Sequence, residues 1–159
     1  MRQRKRQVTD KATICAMLDA MDTIHVAMHD EPFPYIVPLN FGYHWEDKLT
    51  FYFHCAAEGE KIDCIRNNPV VSLSAVSRCT PRYEEEKQNF TEYYHSAIAL
   101  GHAETVTDDN EKIEALRLIC ERFLPKFMDH FEAAIARSLS RTTVIRIILT
   151  EPAVGKMKG

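Results

Sequence analysis

Hydrophobic residues recur along this chain with two different periods, which predict a mixture of helices and strands. Ile14, Met17, Leu18 and Met21 have the i, i+3, i+4, i+7 spacing of one helical face, and Asp10 precedes them as a candidate N-cap. The sequence therefore predicts a first helix that begins just after Asp10.

Three further helices are predicted downstream. A short one covers Glu58 to Arg66 and is stopped by Asn67-Asn68-Pro69. Another follows a capping-box pair, Asp108 and Glu111, and ends before Pro125. The last is predicted from Asp129 to Leu139.

Alternation with a period of two predicts the strands. It is clearest from Tyr35 to Tyr43, where every second residue is large and apolar, while Pro34 and Pro38 indicate an irregular or edge-like section. The polar, aperiodic segment from Arg78 to Thr91 is expected to be a long loop that covers a site or packs on a partner. The other predicted strands cover residues 23–28, 49–54, 70–76, 94–106 and 142–149.

About six strands and four helices without regular β-α alternation argue against a doubly wound parallel sheet. We predict a mainly β fold of the α+β class, a closed or nearly closed small barrel with peripheral helices. The strand from Tyr94 to Val106 carries a face of small residues: Ala97, Ala99, Gly101 and Ala103. Such a face admits a close neighbour, which the sequence leaves open as a helix of the same domain, a second subunit or a ring system.

The composition narrows the function classes. The chain has 159 residues, 45% of them apolar, and a formal net charge of −3, which predicts one globular domain (1–159, with a basic tail over 1–8) and neither nucleic-acid nor membrane binding. No apolar stretch follows the basic tail, so a secretory signal is not expected. The five cysteines are scattered without a C-x-x-C pair, which predicts free thiols, no zinc site and a cytoplasmic location.

The chemistry-bearing residues are few. With only five glycines, the chain has no glycine-rich phosphate loop. His25 and His29 would suit a metal on a helix, but the local pattern is strand, and no metal site is predicted. His54 and Lys61 flank a predicted strand-to-helix junction, where a helix start and a cation can hold a phosphate. On this local evidence alone, a Lys61 that pairs with Glu58 or points into water is favoured over a phosphate anchor, and His54 could equally be structural.

Two motifs are specific in combination, Pro34-Tyr-Ile-Val-Pro-Leu-Asn-Phe41 and Tyr52-Phe-His-Cys-Ala-Ala-Glu-Gly-Glu-Lys61, and Ile65-Arg-Asn-Asn-Pro-Val70 follows them. Together they resemble the nitroimidazole-resistance branch of the pyridoxamine phosphate oxidase-like flavoproteins. Weaker matches follow in order, Tyr94-His-Ser-Ala-Ile98 and Gly101-His-Ala-Glu104. One departure is Cys55, where the family usually has a small residue or glycine.

This resemblance implies an FMN-binding split β-barrel that forms a homodimer with the flavin at the subunit interface. The backbone of Val37, Pro38, Leu39, Asn40 and Phe41 would lie along the isoalloxazine ring. His54 would lie near the ring or the ribityl chain, Lys61 would bind the phosphate with the helix start around Ala57 and Gly59, and Ser96 would add a polar contact. FAD is the alternative cofactor, with the basic tail of Arg2 to Arg6 meeting its extra pyrophosphate and adenosine.

The resemblance also implies the function. The first hypothesis is a flavin-dependent oxidoreductase that passes electrons from a reduced nicotinamide or another donor to a small aromatic or nitro acceptor, with His54 as the catalytic candidate if an acid or base is needed. The second is a flavin-binding protein without turnover, acting as a flavin store or redox sensor. A weaker third hypothesis is a heme-binding barrel with His54 or His102 as axial ligand.

Overall fold

The computed structural model describes residues 4–158, and within them the chain forms nine strands and four α-helices. The helices are α1 (Lys11–Asp19), α2 (Glu60–Asn67), α3 (Asp109–Phe123) and α4 (Phe131–Ser138), with 3-10 turns at Arg4–Arg6, Glu85–Lys87, Pro125–His130 and Leu139–Arg141. The strands are β1 (Gln7–Val8), β2 (Ile24–Met28), β3 (Tyr35–Leu39), β4 (Gly42–Trp45), β5 (Leu49–Ala56), β6 (Val70–Glu84), β7 (Asn89–Thr105), β8 (Thr142–Leu149) and β9 (Val154–Lys158).

One antiparallel sheet in the order β3-β2-β6-β7-β8-β5-β4 contains most of the strands, and β9 pairs with β7 and β1. The two end strands, β3 and β4, are separated only by Asn40 and Phe41, so the sheet must curl to bring its ends together. Leu39 of β3 lines the same interior gap as Phe53 of β5 and Ile147 of β8. The predicted barrel with peripheral helices is therefore confirmed.

The barrel interior is aromatic at its centre. Phe41, Phe51 and Phe53 are fully buried, and the rings of Phe41 and Phe51 meet edge to face with their centroids 5.7 Å apart. Such pairs add stability beyond the area that they bury. A second, smaller core lies where α3 and α4 cover the outer face of β5 and β8, and it contains Val106, Ala115, Leu116, Phe131 and Val144.

Helix α1 packs against the strand face of small residues. Ile14 and Leu18 border the same narrow gap as Ala97 and Ala99 of β7. A Cβ at Gly101 would lie 2.7 Å from the carbonyl oxygen of Ile148, so only glycine fits there without a shift. Of the three neighbours that the sequence left open for Ala97 and Ala99, the structure shows a helix of the same domain.

The predicted helix starts are confirmed by their caps. The Asp10 carboxylate accepts a hydrogen bond from the Thr13 backbone N–H at 2.8 Å, and the Asp108 carboxylate accepts one from the Glu111 N–H at 2.8 Å. The Glu111 carboxylate accepts hydrogen bonds from the guanidinium of Arg146 at 2.6 and 2.8 Å and one from the Tyr52 hydroxyl at 3.1 Å. These bonds join α3 to the strands beneath it.

One strand prediction and one loop prediction were wrong. The single strand predicted from Tyr35 to Tyr43 is broken after Leu39, and the chain enters a second strand, β4, at Gly42. The loop predicted over Arg78 to Thr91 is a two-stranded ribbon in which Arg82 pairs with Thr91 and Glu84 with Asn89. Both faces of this ribbon are largely exposed, so its residues show no alternation of polar and apolar side chains that a sequence pattern could detect.

Candidate functional site

The predicted strand-to-helix junction exists where β5 gives way to α2. Ala57, Glu58 and Gly59 form an exposed turn, and Gly59 has φ 135° and ψ 167°, a conformation that essentially only glycine adopts. Gly59 is the N-cap residue and has no side chain that could accept from the first-turn N–H groups. The helix therefore starts without a side-chain cap, and its positive end is available to an anion.

Lys61 is the second residue of α2 and is half-buried. It borders the interior gap that also contains Leu39, Phe53 and Ile65. Within residues 4–158 its ammonium has no carboxylate within 4.0 Å, so the predicted alternative of a pair with Glu58 is absent. A half-buried cation beside an uncapped helix start favours an anionic ligand over a solvated lysine.

Strand β3 brings its backbone to the same region. It pairs only with β2, where Pro38 lies opposite His25, so its other edge has no strand partner among the described residues and the edge-like prediction is confirmed. Val37 and Leu39 point inward, while Pro38 is exposed. Edge-strand N–H and C=O groups are free to bond a planar ligand with a polar rim.

Asn40 and Phe41 follow β3 directly. The Asn40 side-chain amide donates to the Asp22 carbonyl at 2.8 Å, and Phe41 is fully buried in the aromatic core. Their side chains are therefore committed to the fold, and only their backbone can contribute to a ligand site.

His54 and Cys55 point to opposite faces of β5. His54 is exposed on the outer face, whereas Cys55 is half-buried and packs against the barrel core. Burial raises the pKa of the Cys55 thiol, and the positive charge of Lys61 partly offsets this rise. The Cys55 thiol is therefore close enough to Lys61 to feel its charge, whereas His54 points away from that gap.

Ser96 lies far from this junction within one chain. His54 pairs with Val144, and Val144 accepts a hydrogen bond from the N–H of Val106 at 2.9 Å. Ser96 lies in β7 and precedes Val106, the residue directly after that strand, by ten residues, which is roughly 30 Å along extended chain. Within one chain, Lys61 and β3 therefore lie together, whereas His54 and Ser96 each lie apart from them.

The two candidate heme ligands are also separate. His102 is exposed on the outer face of β7, where it pairs with Val70 and Ile148, and His54 pairs with Val144. The two histidines lie on β5 and β7, the strands on either side of β8, and their partners on β8 are four residues apart. They are therefore too far apart in one chain to be the two axial ligands of one iron.

The basic tail is described only in part. Arg2 lies outside the described residues, and Arg6 donates to the Tyr94 hydroxyl at 3.4 Å.

The sequence of this chain matches a known protein family. Residues 10–155 match the pyridoxamine 5'-phosphate oxidase family over almost the whole chain. The chain belongs to this family. No curated protein matches it.

Solved structures of other proteins share the split-barrel fold of this pyridoxamine 5'-phosphate oxidase family member. A candidate 5-nitroimidazole antibiotic resistance protein from Bacteroides thetaiotaomicron is 24% identical, with a TM-score of 0.75 over 94% of this chain and 85% of that one. The flavocytochrome Anf3 from Azotobacter vinelandii is 22% identical, with a TM-score of 0.82 over 100% and 72%. An FAD and heme binding protein from Mycobacterium smegmatis is 18% identical, with a TM-score of 0.80 over 96% and 73%.

The sequence reasoning missed one cluster beside the junction. Asp30, Glu60 and Cys64 bring two carboxylates and a thiol together at the surface of α2. The i, i+4 spacing of Glu60 and Cys64 could be seen in the sequence, but the approach of Asp30 could not.

Among residues 4–158, no helix has the length and apolar character needed to cross a membrane.

Proposed function

We propose that this protein is a flavin-dependent oxidoreductase that passes electrons from a reduced nicotinamide or another donor to a small aromatic or nitro acceptor. The observation that carries the proposal is the position of Lys61, a half-buried lysine without a carboxylate partner in the described residues, in the same gap as Leu39 of the edge strand β3. The proposed phosphate anchor and a free strand edge are thus neighbours, which would suit a cofactor with a phosphate at one end and a polar ring at the other.

The residues of this chain would divide the binding of FMN among them. Lys61 and the uncapped start of α2 after Gly59 would hold the phosphate by charge and by backbone N–H groups. The backbone of residues 37–41 would bond the ring edge, and Ala57 would leave room beside the phosphate. The bound flavin supplies the electron-transfer chemistry, while the protein orients it and excludes water.

A second subunit would complete the site. Four residues pair side by side across β3, β2, β6 and β7 on the outer face of the sheet: Ile36, Ala27, Ser72 and Leu100. Ile98 lies on the same face of β7, two residues before Leu100. Ile36, Ile98, Leu100 and Val76 are all exposed in the single chain, although large apolar side chains on one face normally pack against a partner. We infer a homodimer through this face, which would let Ser96, next to Ile98 on the same face, reach the flavin bound by the partner.

His54 keeps a conditional role. It is exposed on the outer face of β5, where it could meet a substrate or the partner subunit, and an imidazole is a common general acid or base in enzymes. The cytoplasmic location and the choice of FMN over FAD stay predictions from the sequence and the family.

The decisive experiment is the visible absorption spectrum of the purified protein, of Lys61→Ala and of Lys48→Ala, an exposed lysine in a turn between β4 and β5. The wild type and Lys48→Ala should carry a flavin. Lys61→Ala should bind it roughly ten- to a hundredfold more weakly, because one charge-assisted bond to the phosphate is lost. A protein that binds neither FMN nor FAD would contradict the proposal.

A reduction assay separates the enzyme from a flavin store or redox sensor. The loaded protein is mixed with reduced nicotinamide under anaerobic conditions, and a nitroaromatic compound is then added. Bleaching of the flavin followed by its reoxidation with loss of the nitro compound supports the oxidoreductase. A bound flavin that no nicotinamide reduces supports the store or sensor, and a heme spectrum in place of the flavin spectrum supports the heme-binding alternative.

A further inference from the structure

The surface beside the start of α2 contains a cluster of potential metal ligands that the proposed flavin chemistry does not use. A carboxylate oxygen of Asp30, one of Glu60 and the sulfur of Cys64 all lie within 4.8 Å of one another. Asp30 follows β2, whereas Glu60 and Cys64 belong to α2, so the fold joins two distant segments at this point.

The helix presents two of these groups together for a simple geometric reason. Glu60 and Cys64 are spaced i, i+4 and therefore project from the same side of α2. Lys61 and Ile65 project about 100° further around the helix, toward the barrel interior. Glu60 and Cys64 line the open cleft, whereas Lys61 lines the interior gap, so the cluster and the proposed phosphate site open on different sides of α2.

The thiol is what distinguishes this cluster from an ordinary acidic surface. Cys64 is only 3% exposed, yet it borders an open cleft of about 390 Å³ that is also lined by Asp30, Glu60 and His29. Its sulfur bonds to the backbone at its own position, and no side chain of another described residue forms a hydrogen bond with it. A buried thiol at the floor of a cleft with two carboxylates at the rim is a mixed sulfur and oxygen donor set.

The charges around the cleft also lack compensation. Neither Asp30 nor Glu60 has a cationic partner within 4.0 Å among residues 4–158, whereas the neighbouring Asp63 on the same helix pairs with Arg66 at 2.8 Å. Two unpaired carboxylates held this close repel each other unless a cation lies between them.

We propose that Asp30, Glu60 and Cys64 bind a divalent metal of the zinc class in this cleft. Zn²⁺ accepts thiolate and carboxylate ligands in one tetrahedral shell, in which sulfur and oxygen ligands are about 3.6 Å apart. Small side-chain rotations of Asp30, Glu60 and Cys64 would shorten the present separations of up to 4.8 Å to that distance. The fourth position is left to His29, which lines the same cleft, or to water. This site goes beyond the flavin chemistry and does not depend on it.

The test is a titration of the intact, chelator-treated and dialysed protein with Zn²⁺ by calorimetry, and with Co²⁺ by difference absorption against the same protein without metal. We expect one Zn²⁺ per chain and a Co²⁺-thiolate charge-transfer band. Asp30→Asn, Glu60→Gln and Cys64→Ser should each weaken Zn²⁺ binding by at least about tenfold, since even residues that only orient a ligand contribute about 10- to 100-fold. Cys64→Ser should also abolish the Co²⁺-thiolate band.

Two control variants match these changes. Asp63→Asn removes another carboxylate that lines the same cleft but already has Arg66 as a partner, and Cys79→Ser removes an exposed thiol elsewhere. Both should bind Zn²⁺ like the wild type. Asp30 and Glu60 are exposed, so their neutral variants keep the test valid even if Cys64→Ser fails to fold.

Three outcomes would overturn the proposal: no saturable Zn²⁺ binding, Co²⁺ binding without a thiolate band, or Asp30→Asn and Glu60→Gln that bind as tightly as the wild type. Lys61→Ala should retain the metal site. Loss of flavin and loss of zinc are therefore separate results, and each proposal fails on its own readout.

Discussion

The guanidinium of Arg122 lies over the ring of Phe41, 4.4 Å from its centroid. The same side chain donates to the main-chain carbonyls of Leu18 and Met21, the second at 2.6 Å, and it pairs with Asp19 at 3.3 Å. One residue near the end of α3 therefore fixes both the end of α1 and the segment that follows the edge strand β3.

Replacing Arg122 by alanine should destabilise the whole fold. The variant loses charge-assisted hydrogen bonds to two carbonyl groups and a cation–π contact in a largely buried setting, together roughly 2–4 kcal/mol. Urea unfolding followed by circular dichroism measures the loss as a lower midpoint with an unchanged slope.

Arg117→Ala is the matched control for Arg122→Ala. Arg117 also lies 4.4 Å from an aromatic ring, that of Phe131, but its hydrogen-bond partner is the exposed Glu132 and not a backbone carbonyl. Its loss of stability should be clearly smaller. Equal losses in the two variants would show that the carbonyl bonds of Arg122 contribute nothing.

Gly59→Ala should disturb the start of α2 through its backbone alone. A Cβ at Gly59 would meet no atom within 4 Å, but φ 135° and ψ 167° are strained for any other residue. The expected cost is about 1–3 kcal/mol of stability, with a weaker affinity for flavin if the helix start holds the phosphate. Urea unfolding and flavin titration measure both effects, and Glu58→Ala in the same exposed turn should change neither.

Ile98→Asp should dissociate the proposed dimer. Ile98 is 51% exposed on the outer sheet face, so a carboxylate there is harmless to the single chain but cannot be buried against a second copy. Sedimentation velocity should show a monomer, and flavin affinity should fall because Ser96 of the partner is removed. Phe127→Asp, at an apolar position 60% exposed away from that face, should leave the dimer intact. A monomeric wild type would refute the interface.

Cys55 should be a poor nucleophile at neutral pH. Because burial raises the pKa of its thiol, the thiolate forms only above the pH at which an ordinary cysteine ionises. Alkylation of the Cys55 peptide, followed by mass spectrometry, should therefore be slow at pH 7 and accelerate as the pH rises. Lys61→Ala removes the charge that lowers this pKa, so it should slow the reaction further at each pH. Fast alkylation of the folded wild type at pH 7 would contradict this assignment.

Local signals in the sequence predicted the elements that depend on local physics. Asp10 and Asp108 cap their helices as expected, and the last strand of the barrel, β8, has the predicted bounds of Thr142 and Leu149. Caps and side-chain periodicity act within a few residues, so a sequence pattern is sufficient to detect them.

The family motifs located the candidate site only in part. They identified Lys61 at the start of α2 and the edge strand around Pro38, both of which the structure brings together. They also included His54 and Ser96, and the structure places these two away from the Lys61 gap within one chain. A linear motif preserves order along the chain, whereas the strand ladder decides which of its members are neighbours.

The sequence by itself determined the capped helices, the alternating strands, the start of α2 and the family. Only the tertiary structure decided that the chain breaks between β3 and β4, that Arg78 to Thr91 is a ribbon, and that α1 covers Ala97 and Ala99. It also decided that Asp30 meets Glu60 and Cys64. The reason is that each of these features depends on pairing or packing between segments far apart in sequence, and no local propensity encodes such contacts.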